Sequence, residues 1–293
     1  MMKKWQRDRG LAARMFLTMF LLGAVYITFI AVLAYLGLPT GSIMIVAGIM
    51  LFAQYYFSDK MVLMSTGAHV VSESEEPMLH GIVSRLCIEA DLPKPRVAIV
   101  KSNVPNAFAT GRSPKKAVVA VTTSLMQRLN QNELTAVLAH ELTHVKNRDV
   151  MVLTIASFFS TIAFFLVRYL IFFGGGDRRG GGQIMIAWIA SIAVWIVSSL
   201  LIRALSRYRE FAADRGAAVI TGHPSHLVSA LQKISGAMGR IPTDDLRKAE
   251  GMNAFYIIPA ISGSSVMALF STHPSLEKRV EALEKISRQM EIA

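Results

Sequence analysis

Charge is scarce in this chain and cysteine almost absent. Asp, Glu, Lys and Arg make up 17% of its 293 residues, against 53% hydrophobic residues and a mean hydropathy of +0.43. That balance excludes an ordinary soluble domain and points to an integral membrane protein. The single cysteine, Cys87, excludes an intramolecular disulfide and suits a reducing compartment. Acidic residues are in deficit, 20 against 31 Lys and Arg, for a formal charge of +11. Nucleic acid is not an expected partner, because no basic stretch is interleaved with aromatics. The cations instead flank apolar segments, so the lipid bilayer and its anionic surface are the expected partner.

What is present is a set of apolar runs in two pairs. Met15 to Leu38 carries no charge and is long enough to cross a bilayer. A second run, Ser42 to Phe57, follows the turn Gly37 to Gly41, with Tyr55 and Tyr56 placed for the interface. The first run is too long for a signal peptide and a second follows at once, so it reads as an uncleaved anchor. Val150 to Phe173, broken only by Arg168, and Ile184 to Ile202 form a second pair around the loop Gly174 to Gly182. Lys3, Lys4, Arg7, Arg9 and Arg14 put the N-terminus on the cytoplasmic side, and they outweigh the opposing Arg178 and Arg179. The expectation is a mainly α, multi-pass protein of the cytoplasmic (plasma) membrane. It has four transmembrane helices in two hairpins, residues 1–58 and 150–203, and an α+β catalytic domain facing the cytoplasm, split into 59–149 and 204–293.

In the first part of that domain a helix is expected from Ser74 to just before Asp91, with Leu79, Ile82, Val83 and Leu86 on one face. Arg96 to Lys101, Asn106 to Thr110 and Ala117 to Thr122 read as short strands, hence a small antiparallel sheet. Asn130 and Glu133 form a capping-box start to the next helix. That helix contains His140-Glu141-Leu142-Thr143-His144. Helical spacing puts the two histidines one turn apart, as a zinc-chelating pair, and places Glu141 where it can reach a metal-bound water as general base. With 7 histidines in the chain, chance supplies such a pattern roughly 0.007 times.

A catalytic zinc needs a third protein ligand. Glu210, four residues before Asp214 on a helical stretch with Ala212 and Ala213 between, is the candidate ligand. Asp214 would accept a ring N–H from a ligand histidine. The competing reading is a solvated acidic face paired with Arg207, Arg209 and Arg215. His69, His80, His223 and His226 match no metal spacing. Ser275 to Ile292 reads as an amphipathic surface helix.

Taken together, the N-terminal hairpin, Asn106-Ala107-Phe108-Ala109-Thr110-Gly111, the motif His140 to His144, the second hairpin, Ser206-Arg207 through Glu210 to Asp214, and Thr272-His273-Pro274 resemble the HtpX-type membrane-bound zinc metalloproteases, relatives of the CAAX prenyl proteases. The resemblance implies a zincin-like (gluzincin) catalytic domain with one Zn2+ per chain on His140, His144 and Glu210, and Glu141 as base. It implies His273 near the metal, stabilising the oxyanion. Asn106, Ala107, Phe108 and Ala109 would be the edge strand that receives an extended substrate, with one of Ala107 and Ala109 turning its N–H outward and the other inward. The implied activity is hydrolysis of unfolded or misfolded membrane proteins in quality control and stress response. The rivals are a prenyl-protein processing protease, which would need more spans, and a zinc-stabilised scaffold without activity, against which the intact Glu141 counts.

Overall fold

The computed structural model describes residues 9–36, 40–157, 160, 162–163, 181–238, 240 and 273–292. These fall into two compact units. One contains Arg9–Tyr56 and Val152–Ser206, the other Met1–Asp8, Phe57–Met151 and Arg207–Ala293.

The first unit is built from apolar helices. Helix α1 (Arg9–Tyr35) buries Leu22, Tyr26, Phe29 and Leu33 on one stripe, and the Tyr26 hydroxyl donates to the Ala156 carbonyl at 2.5 Å. Its remaining faces are also apolar, with Phe16, Phe20 and Ile27 exposed. Helix α2 (Thr40–Tyr56) carries no charge. Residues 149–157 are helical, while the rest of the expected span to Phe173, most of the glycine loop and the turn Gly37 to Pro39 lie outside the described residues. Among the described residues, two helices, Arg9–Tyr35 and Met185–Thr221, are long and apolar enough to cross a membrane. Near the boundary expected at residue 203 the two units part between Ser206 and Arg207, while α7 (Gly181–Thr221) runs on unbroken through Arg203, Glu210 and Asp214. Composition changes there, but no proline or glycine intervenes until Gly216, so nothing ends the helix.

The second unit holds a four-stranded sheet of β1 (His69–Val70), β2 (Arg96–Val100), β3 (Ala107–Thr110) and β4 (Val118–Thr122), in the order β1-β2-β4-β3. The expected antiparallel sheet is in fact mixed. β3 and β4 pair antiparallel, but the hairpin returns β4 into the place beside β2, and those two strands run parallel. β1 pairs antiparallel with β2 through two residues, too few to give a periodic sequence signal. The hairpin turns at Gly111, whose φ of +125° and whose approach to the Lys116 carbonyl, 2.6 Å from a notional Cβ, admit only glycine.

Both sheet faces are covered, so β4 is buried at every position instead of alternating. On one face Val62 and Leu63 of α3 (Ser58–Thr66) meet Ala98, Val100, Phe108, Val118 and Ala120. The other face, with Val97, Ala107, Val119 and Val121, joins α4 (Pro77–Ala90), α5 (Thr123–Arg128), α6 (Gln131–Lys146) and α8 (Pro224–Met238) in one core. Helix α6 lies in the middle of that core. Its start is the expected capping box: Asn130 Oδ1 accepts from the Glu133 N–H at 2.9 Å, and Glu133 Oε2 accepts from the Asn130 N–H at 3.0 Å. Glu133 is buried and also accepts from Ser229 Oγ and Lys233 Nζ of α8, at 2.6 and 2.8 Å. Helix α9 (Leu276–Ile292) closes the unit, with Leu283 in the core.

One carboxylate thus fixes both the start of α6 and its docking on α8. Glu133→Ala should lower stability by about 2 kcal/mol, read as a fall in Tm of the detergent-solubilised protein, whereas Glu133→Gln should lose less.

Candidate metal centre and active site

Helix α6 presents His140 and His144 one turn apart, with ring centroids 4.7 Å apart and ring planes at 86°. Their Nε2 atoms lie 3.1 Å from each other. Helix α7 brings Glu210 to the same point, with Oε2 3.5 Å from His140 Nε2 and Oε1 3.4 Å from His144 Nε2. Bonds of 2.0–2.2 Å in a tetrahedron place donors about 3.3 Å apart, so this triangle has the dimensions of a zinc-type ligand set. Among the described residues it is the His/Cys/Asp/Glu group whose donor atoms converge within 4.8 Å.

The outer ring nitrogens explain why both Nε2 atoms face inward. His140 Nδ1 lies 3.0 Å from Asp214 Oδ1, and His144 Nδ1 lies 2.5 Å from Asp149 Oδ2. A carboxylate can only accept, so each Nδ1 carries a proton, and in the neutral ring each Nε2 carries a lone pair. Two nitrogens aimed at each other across 3.1 Å are bridged either by one proton or by a metal cation.

Each carboxylate is held in turn by a buried arginine. Arg279 of α9, 2% exposed, donates to Asp214 from Nη2 at 2.6 Å and from Nε at 2.9 Å, and its Nη1 lies 3.6 Å from Glu210 Oε2. Arg209 Nη1 donates to the Asp149 carbonyl at 2.9 Å while Nη2 pairs with the Asp149 carboxylate. Asp149 reaches back to His144 because Arg148 takes a left-handed φ of 55° just after α6 ends. Four buried carboxylates, Glu141, Asp149, Glu210 and Asp214, therefore face two buried guanidiniums, an acidic excess that the histidine proton or a bound cation would offset.

Titration follows the same geometry. Burial pushes the Glu141 carboxyl above its ordinary range, opposed by His140 and His144. Burial acts the same way on Glu210, yet His273, His140 and His144 hold it well below that range. Burial lowers His144 to about 4, whereas at His140 the bonds to Asp214 and Glu210 override burial and hold the ring at about 9. The pair takes up one proton, not two.

The competing reading, a solvated acidic face, does not hold: Glu210 and Asp214 are buried in this cluster. His273 joins it, Nδ1 lying 3.2 Å from Glu210 Oε2, while its neighbour Thr272 lies outside the described residues. His69, His80, His223 and His226 stay outside the cluster; His80 Nε2, for one, bonds the Val71 carbonyl at 3.0 Å. A small open cleft runs from Ala109 and Gly111 to His144 and Asp149. Along β3, Asn106 and Thr122 form a hydrogen-bonded pair, the Asn106 carbonyl accepting from the Thr122 N–H at 2.9 Å. By the strand alternation Phe108 and Thr110 also pair inward, while Ala107 and Ala109 both direct N–H and C=O to the outer edge. The expectation that Ala107 and Ala109 point opposite ways fails, because residues two apart share a direction. Asn106 and Phe108 belong to the inward ladder.

Sequence reasoning missed Asp149, Arg209 and Arg279. Arg279 carried a signal, since it lies three residues after Leu276 and four before Leu283, on the apolar stripe of its helix. Asp149 stands at the start of an apolar run, where a charge reads as a membrane flank, and Arg209 lies among Arg203, Arg207 and Arg215, where it reads as one more surface cation.

The sequence profile of Peptidase family M48 matches residues 73–287. "Protease HtpX homolog 2" of Methanosarcina acetivorans is 65% identical over 99% of this chain and 100% of its own length. "Protease HtpX homolog" of Moorella thermoacetica is 61% identical over 97% of both chains. Among solved structures, the crystal structure of S. mikatae Ste24p superposes with a TM-score of 0.57 at 17% identity. That match covers 89% of this chain and 62% of the Ste24p chain, and it speaks to the fold alone. A match of this extent, around a converging His-His-Glu group and helices fit to cross a bilayer, makes the chain a member of peptidase family M48 and a membrane metalloprotease.

Proposed function

We propose that this protein is a zinc endopeptidase of the cytoplasmic membrane that cleaves unfolded or misfolded membrane proteins, with one Zn2+ per chain held by His140, His144 and Glu210. The observation that carries the reading is the 3.1 Å approach of the two Nε2 atoms beside Glu210. Bound there, zinc supplies a Lewis acid for the scissile carbonyl and a water of lowered pKa. Glu141, buried and one residue from His140, takes the water proton and returns it to the leaving amine. Its raised pKa suits a group that must hold a proton between those steps. His273 donates to the oxyanion. Asp149 and Asp214 keep both ligand rings in the required tautomer.

Substrate adds to the outer edge of β3 through the main chain of Ala107 and Ala109, which favours extended chains over folded ones whose backbones are already paired. The basic N-terminal segment orients the protein with its catalytic pieces, on either side of the second apolar pair, in the cytosol.

Glu141→Gln should retain stoichiometric zinc and lose at least about 10²-fold in turnover of a denatured substrate. His140→Ala, His144→Ala and Glu210→Ala should each lose zinc together with activity, and zinc retained in Glu210→Ala would move the third ligand elsewhere. Asp149→Asn, measured by chelator competition, should weaken metal affinity by about 10–100-fold without unfolding the protein.

Ala109→Pro removes an outward N–H, so it should cut cleavage with zinc and fold intact, whereas Phe108→Pro breaks the inward ladder and should lower Tm. Equal behaviour of the two variants would refute strand addition. A cysteine at Lys115 should react with an impermeant thiol probe from the cytoplasmic face only.

A further inference from the structure

Helix α6 ends against its own backbone preferences. Lys146 is its last residue, Asn147 follows with φ −78°, and Arg148 then takes φ 55°, its N–H donating to the Val145 carbonyl at 3.1 Å. A left-handed residue just past a helix is where glycine is favoured, because a Cβ is penalised there. Among the described residues only Asp91 and Arg148 adopt a positive φ without being glycine, and a short polar side chain such as Asp tolerates it better than Arg. An arginine kept in that conformation beside a metal centre points to a use for its side chain.

Arg148 is exposed and lines the small cleft that also holds His144, Ala109 and Gly111. Among the described residues its guanidinium makes no ion pair or hydrogen bond. Arg112 lines the same cleft from the turn after β3. Asp149 supplies the carboxylate on that wall, and it is already committed to His144 and Arg209. The cleft is therefore electropositive, and an arriving carboxylate meets no competitor. A cation just before the apolar run that starts at Val150 could also serve as a membrane flank reaching lipid phosphate. A flank, however, needs neither the left-handed backbone nor a place beside His144, and both are observed.

We propose that Arg148, in the field of Arg112, forms a subsite for a carboxylate of the substrate close to the scissile bond. A guanidinium suits this role because it meets a carboxylate through two parallel N–H bonds. The carboxylate comes from an Asp or Glu side chain of an extended substrate or from its chain end. The inference rests on the zinc reading of the site and on substrate lying along the edge of β3.

The test uses the full-length, zinc-loaded protein in vesicles of phosphatidylcholine, with and without phosphatidylglycerol. Its substrates are neutral, unstructured peptides in which one Glu or Gln is moved a position at a time, each with a free or an amidated C-terminus. Mass spectrometry locates the cut. At one position relative to the cut, kcat/KM should be about tenfold or more higher for Glu than for Gln. Arg148→Gly, which removes the backbone penalty, should keep its zinc and its Tm and bring that ratio close to one. Arg148→Glu should invert it in favour of Lys. The same ratio, read as Kd by fluorescence anisotropy on zinc-loaded Glu141→Gln, reports the subsite without turnover. A preference confined to free C-termini and lost in Arg148→Gly assigns the subsite to the chain end, and one that persists in amidated peptides assigns it to a side chain. Equal cleavage and binding of Glu and Gln peptides at every position and at both C-termini overturns the proposal, as does a preference that survives Arg148→Gly. If Arg148→Gly instead lowers Tm only where phosphatidylglycerol is present and leaves the ratio intact, the arginine serves lipid and the subsite is refuted. A wild-type chain that cleaves none of the peptides takes down the endopeptidase reading, and the anisotropy ratio then still decides the subsite.

Discussion

Everything at the centre of this protein depends on two buried relays of the same design. In each, an arginine holds a carboxylate and the carboxylate holds the outer nitrogen of a histidine: Arg279, Asp214 and His140 in one, Arg209, Asp149 and His144 in the other. Removing one member of such a group leaves an uncompensated charge in the core, at a cost of about 3–5 kcal/mol. The relays are therefore structural ties as much as electronic ones. The first joins α9, α7 and α6, and the second joins α7 to the turn after α6. Segments far apart in the chain meet only at these charges, and the ligand nitrogens are aimed as a by-product of the fold closing.

The apolar packing provides the stiffness that this arrangement needs. Residues Leu134 to Thr143 of α6, apart from Thr135, are all buried, and the helix is capped and docked through Glu133. A helix so enclosed cannot rotate to relax its histidines away from each other. The mixed sheet contributes in a second way: the return of β4 to the middle pushes β3 to the rim, so the strand whose end reaches the cleft beside His144 is also an edge strand of the sheet.

Much of the site was legible because it was local. His140, Glu141 and His144 lie within one turn of helix, where spacing alone dictates geometry, and Asn130 with Glu133 announced where that helix begins. The apolar runs were equally plain. What the sequence concealed was long-range. Parallel pairing of β2 and β4 depends on where a hairpin is inserted, which no local pattern encodes, and β1 is shorter than any period. The charged partners were hidden for another reason. Arg279 looks like one more cation in an amphipathic helix, and only its place among Leu276 and Leu283 betrays that it turns inward. The end of the apolar run at Arg203 suggested a domain boundary, and the two units part close by, between Ser206 and Arg207, within one unbroken helix, because a helix stops only where its backbone is interrupted.

That uninterrupted helix has a consequence for the birth of the protein. α7 carries an apolar segment and Glu210 on one continuous rod, and Arg279 follows later still in the chain. A ribosome therefore completes His140, Glu141 and His144 well before it supplies the third donor, and the third donor arrives only behind a stretch of sequence that has to leave water. The half-made chain holds two histidines and no closed site. Until Glu210 is made, the chain lacks one of the three donors that converge in the finished fold.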